Sequence, residues 1–241
     1  MLCIYRLCLL IASIGTLLVA GPALPVHSRP LSPTVTDSIY NAHHPRLLYN
    51  SSEIPGLFAK VRDGGHDDTA YTFIRILIQY IYLGSSPQEL LGDDFGLSTI
   101  PNLGVGTELE SPPDETAREL GRTLTVYLAD NWNPDTDDFY SSLRLRALTL
   151  GYDMFFAYSD DAERAYIRDE ILSYVTYMLT QEAYDVWSFR PYLSNRSAMI
   201  AASLGLAAIC LDGEADSLIL QAAFDRSSLL IERWLNYHVD N

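Results

Sequence analysis

The sequence predicts an all-α fold, an incomplete α/α toroid or barrel built of helical hairpins in two layers. Three observations lead there. Apolar side chains recur at three- and four-residue spacing along most of the chain beyond Asp67. Amphipathic stretches alternate with stretches that are apolar on every side, and a helix apolar all round must sit inside other helices. Turn signals separate these stretches while strand-like alternation is scarce, which favours packed hairpins over a sheet. With 241 residues the chain is long enough for one large domain with a real core.

In chain order, Arg6 followed by the apolar run Leu7 to Ala20 and small residues at Ala20, Gly21 and Ala23 reads as a secretory signal, residues 1–23. The run is shorter than the roughly 20 residues of a membrane span. The expectation is a secreted or periplasmic protein that is free of the membrane once the signal is removed. Pro25, Pro30 and Pro33 mark an extended linker, residues 24–39. Residues 40–241 then form the helical domain. They stop at NYHVDN with no helix stop and too few helices to close a ring, so the toroid is expected to be truncated at its C-terminus.

Ser51 or Ser52 caps a short first helix with Pro55 in its first turn and the Gly64–Gly65 pair at its end. Asp67 to Leu83 is the next helix by length, closed by Gly84. Residues 84–112 are rich in Gly, Pro, Ser and Asp and read as a long loop. Pro113 to Asp130 carries the stripe Leu120, Leu124, Tyr127 and Leu128, and Asp137 to Tyr158 carries Leu143, Ala147, Leu150, Met154 and Tyr158. Asp160 and Glu163 make a capping box for a helix with Ile167, Ile171, Tyr174, Val175 and Met178 on one stripe.

Trp187 to Leu211 is the most informative stretch. A polar and aromatic mouth (Trp187, Arg190, Tyr192, Asn195, Arg196) leads into a helix apolar on all sides, from Ala198 to Ile209. Polar residues at such a mouth either meet a burial cost or line a ligand cavity. After the turn LDGE, Glu214 to Tyr237 is amphipathic again.

The net charge is −15, and Lys60 is the only lysine. Such acidity excludes nucleic acid as a partner, and binding of a polyanion would require arginines concentrated in one cleft. Of three cysteines, Cys3 and Cys8 fall in the signal. Cys210 reads as a small core residue, so no internal disulfide and no Cys-based metal site is expected. His43 and His44, ahead of Pro45, read as structural. His66 beside Asp67 and Asp68 reads as a solvated helix start rather than a metal ligand. No P-loop, zinc motif, nucleophile elbow or dinucleotide fingerprint occurs, so the sequence implies no cofactor and assigns no metal.

Three segments carry a family resemblance: HHPRLLYNSSEIPGLFAKV (His43 to Val61), RLRALTLGYDMFFAYSDDAERAYIRDEIL (Arg144 to Leu172) and SNRSAMIAASLGLAAICL (Ser194 to Leu211). Their order and spacing, over most of residues 43–236, resemble heparinase II/III-like and alginate-lyase-like polysaccharide lyases. The resemblance implies a truncated α/α toroid followed by β-sandwich domains. It also implies β-elimination at a uronic acid of an acidic polysaccharide or oligosaccharide. That chemistry needs the uronate carboxylate neutralised while a base takes the neighbouring proton and an acid protonates the leaving oxygen.

By the same resemblance Asn195 takes the place of the carboxylate-neutralising Asn. Arg196 stands where the family commonly has a catalytic His, and Arg pairs with carboxylates but cannot act as a base near neutrality. Trp187, Arg190 and Tyr192 would line the sugar cleft. The family's catalytic Tyr would fall beyond residue 241, so these residues alone are expected to be inactive. Two alternatives stand beside this reading. One is an α/α-barrel glycoside hydrolase, with Asp153 and Asp185 as the nearest carboxylate candidates. The other is a non-catalytic glycan-binding helical domain, for which Arg196 in place of His is the best support.

Overall fold

The computed structural model describes His44, Leu47, 54–60, Arg62, 66–80, 82–91, 98–108, 114–131, 138–180 and 195–239. All of these belong to the unit Tyr40–Asn241. The expected signal and linker, residues 1–23 and 24–39, lie outside the described residues. The described residues are all-helical, with no strand among them. Their α-helices are α1 Ile54–Lys60, α2 His66–Tyr80, α3 Pro87–Leu91, α4 Thr99–Glu108, α5 Glu115–Asp130, α6 Asp138–Phe155, α7 Asp161–Thr180, α8 Asn195–Cys210 and α9 Ser217–Val239. Single 3-10 turns follow α2 (Tyr82–Gly84) and α6 (Phe156–Tyr158). Among the described residues no helix is long and apolar enough to cross a membrane.

Helix starts follow from local chemistry. The Asp114 side chain accepts from the Thr116 and Ala117 amides at 3.0 and 3.1 Å, satisfying two of the orphan donors of α5. Asp160 and Glu163 form the expected reciprocal box at the head of α7, at 2.9 and 3.3 Å. Ser86 and Glu89 do the same for α3. Asp216 caps α9 through the Leu218 amide at 2.8 Å, so this helix begins at Ser217 rather than at Glu214.

Burial divides the longer helices into two kinds. No described side chain of α4, α6 or α8 is exposed, whereas α5, α7 and α9 each keep an exposed stripe. Contacts follow the same division: α2, α4, α6 and α8 touch in sequence, as do α3, α5, α7 and α9. The buried helices run parallel to one another. Gly104 and Ile100 of α4 lie against Met154 and Gly151 of α6. From α8, the Ser203 hydroxyl donates to the Ser142 carbonyl at 2.6 Å and the Cys210 thiol donates to the Thr149 carbonyl at 3.7 Å. Polar residues inside are satisfied locally, Thr107, Thr125 and Thr149 each returning a hydroxyl to the carbonyl four residues back.

Two expectations are corrected. Residues 84–112 are not one long loop: α3 and α4 lie within them, and α4 is part of the core. The glycines that made this stretch look like a loop serve close packing instead. A Cβ on Gly104 would collide with Met154, and one on Gly106 with Ile78 and Ile74. The helix predicted to reach Tyr158 ends at Phe155, where the Ser159 hydroxyl turns back to the Phe155 carbonyl at 3.2 Å and leaves Tyr158 exposed.

Candidate functional site

Of the residues assigned to the site from sequence, Asn195 and Arg196 form the first turn of α8. Their side chains lie outside the described set, as do Trp187, Arg190 and Tyr192 altogether. Asp185 lies outside it too.

The densest polar constellation among the described residues is at the opposite end of α8. Helix α6 delivers Tyr152 and Asp153 from its last turn. The turn after α8 delivers Glu214, and it can do so because Gly213 adopts φ +80°, a left-handed conformation that suits glycine. His44 enters between them from the segment ahead of α1. Its Nδ1 lies 2.5 Å from Asp153 Oδ1 and its Nε2 lies 2.8 Å from Glu214 Oε1. The second Asp153 oxygen accepts the Leu47 amide at 2.9 Å, and the Tyr152 hydroxyl donates to Glu214 Oε2 at 2.6 Å. The His44 ring stacks on Phe156 at 4.3 Å and meets Tyr152 edge-on at 5.3 Å. The Arg164 guanidinium lies 4.4 Å from the Phe156 ring centre, and its Nε–H donates to the Phe156 carbonyl.

Both His44 nitrogens face carboxyl oxygens, so each of the two hydrogen bonds needs one proton, carried either by the ring or by the carboxyl group. The side chains of His44 and Asp153 are 2% and 1% exposed, while Glu214 at 24% is the member that reaches water. Burial, and then donation to Glu214, hold the Tyr152 phenol well above the usual tyrosine range. Tyr152 therefore stays protonated and is no base. The arrangement is built to hold: it ties the segment ahead of α1 to α6 and to the α8–α9 turn. Asp153, with both oxygens engaged inside the core, is no free carboxylate for glycoside hydrolysis.

His44, Asp153 and Cys210 also bring nitrogen, oxygen and sulfur atoms within 4.8 Å of one another. Two ligands of one tetrahedral zinc ion sit about 3.3 Å apart. The 2.5 Å between His44 and Asp153 is a hydrogen-bond separation, and the other His44 nitrogen is committed to Glu214. The residues fit a hydrogen-bonded cluster rather than a metal set.

Sequence reading placed His44 as structural and Cys210 in the core, and both are buried there. It missed Glu214, which looked like an ordinary turn residue. Its only signal was the glycine before it. Compared with models of known protein families and with curated proteins, the chain matches none.

Proposed function

We propose that the chain is the helical portion of a secreted or periplasmic polysaccharide lyase that cleaves a uronate-containing acidic polysaccharide by β-elimination. On this reading α2 and the buried helices α4, α6 and α8 are the inner layer of an incomplete toroid, and α3, α5, α7 and α9 are the outer layer. One observation carries it. The three segments that carry the resemblance converge on one cluster: His44 and Leu47 from the first, Tyr152, Asp153, Phe156 and Arg164 from the second, Cys210 from the third. Segments recognised only by their order along the chain thus have a physical reason to occur together.

Asn195 and Arg196, at the N-terminus of α8, would neutralise the uronate carboxylate where the helix end already favours negative charge. Trp187, Arg190 and Tyr192 would flank the sugar. No base or acid for the proton transfers is assigned among the described residues. The test is incubation of the full-length protein with alginate or a glycosaminoglycan. An ultraviolet-absorbing unsaturated uronate is expected, with Asn195→Ala lowering the rate by roughly a hundredfold or more. Saturated reducing ends without that chromophore would select a hydrolase instead. Arg196 in place of His supports a second reading, a non-catalytic glycan-binding domain, which binding without any turnover would select.

A further inference from the structure

Arg146 lies half-buried in the middle of α6, two residues after a second half-buried arginine, Arg144. Among the described residues it makes no hydrogen bond and no ion pair, and burial alone holds its guanidinium below the usual arginine range. Several other arginines are paired: Arg122 with Glu119 and Glu163, Arg164 with Asp161, Arg168 with Asp169. Burial sets Arg146 apart from Arg144, because a partly desolvated cation with no counter-charge is costly to keep.

Its position is set by helix geometry. Ser142 and Thr149 mark the line of α6 that meets α8, and Gly151 and Met154 mark the line that meets α4. At about 100° per residue, Arg146 falls in the gap between those two lines together with Leu143 and Leu150. These leucines keep 9% and 7% exposure, while Leu145 and Leu148 elsewhere on the helix have none. The gap thus holds two nearly buried leucines with one half-buried guanidinium beside them. On the toroid reading it faces the concave side.

We infer that Arg146 is a carboxylate-binding residue for a uronate sugar, seated on the α6 face between α4 and α8. The inference rests on the lyase reading for the identity of the ligand. The guanidinium supplies two parallel N–H donors to a carboxylate, and the neighbouring leucines make its surroundings apolar, which strengthens the pairing. The anion completes a charge that the described residues leave uncompensated.

The experiment is calorimetric titration of the full chain with an alginate tetrasaccharide, a neutral glucan tetrasaccharide and sodium sulfate, alongside thermal unfolding without ligand. The wild type should bind the uronate tetrasaccharide and not the neutral one. Arg146→Met should lose roughly tenfold or more in affinity, with Arg146→Lys in between. Without ligand, Arg146→Met should unfold at a higher temperature than the wild type, because a desolvated charge has been replaced by an apolar chain of similar length. A packing role would lower that temperature instead. Unchanged affinity in Arg146→Met overturns the inference, and so does sulfate displacing the sugar at equal concentration. If affinity is unchanged while the full-length protein still yields unsaturated uronate, Arg146 falls and the lyase reading stands. If the wild type binds no uronate and no chromophore forms, both fall.

Discussion

Two basic side chains of this helical body, His44 and Arg146, are treated in opposite ways. His44 is enclosed between two carboxylates, with a third group, Tyr152, bonded to one of them. Arg146, on the same helix that supplies Asp153, has no counter-charge among the described residues. The first arrangement is satisfied and holds three parts of the chain together. The second is unsatisfied and stays available. A buried basic group with all its partners is a fastening, whereas a half-buried guanidinium without one points to something that arrives from outside.

The largest way to break this contrast is to make His44 resemble Arg146. Asp153→Asn keeps the side-chain shape but removes the charge that faces Nδ1 and the acceptor pair shared with Leu47. Removing one partner of a buried pair leaves the other uncompensated, so a loss of about 3–5 kcal/mol is expected, read as a lower urea midpoint at unchanged slope. A loss below about 1 kcal/mol, the range of exposed pairs, would mean the cluster is not closed in solution.

The next effect concerns the seating of α4 against α6, to one side of Arg146. Gly104 lets α4 approach α6, and an alanine there meets the Met154 Cβ at 3.0 Å as well as the movable end of that side chain. Gly104→Ala should cost about 1–3 kcal/mol by overpacking, despite the better helix propensity of alanine. If it stabilises the protein instead, α4 is not seated against α6 as described. A smaller loss is expected for Glu214→Gln, about 1 kcal/mol, because Glu214 is the water-facing member and an amide oxygen still accepts from Tyr152.

The fold was legible where its signals are local. Apolar spacing marked α5 to α9, and the Asp160–Glu163 box marked the start of α7. Helix α4 was hidden because Pro101, Gly104 and Gly106 have the composition of a loop. Their use as close-packing positions exists only once Met154 and Ile78 are opposite them. The cluster was hidden for a different reason. His44 lies 109 residues from Asp153 and 170 from Glu214, so no spacing rule connects them. Proline after His44 indicated a structural role, but not its partners. Arg146 was passed over because an arginine in a helix is ordinary; only the absence of a partner makes it informative.

The smallest expected effect separates the cluster from the surface by pH. Tyr152 is raised by burial and by its bond to Glu214, while Tyr166 is pushed up to about 12 by donating to Asp130 at the surface. In both cases the folded chain keeps a proton that the unfolded chain releases near pH 10. Their contribution is present below about pH 10 and is lost as pH rises towards the folded values, since the folded state then binds more protons than the unfolded one. Tyr152→Phe should cost about 1 kcal/mol at neutral pH and flatten the alkaline loss. Tyr166→Phe should flatten it less, because solvent screens the exposed pair. An alkaline limb that is identical in wild type and Tyr152→Phe would mean that the phenol does not hold its proton for Glu214, and that the cluster is anchored by His44 alone.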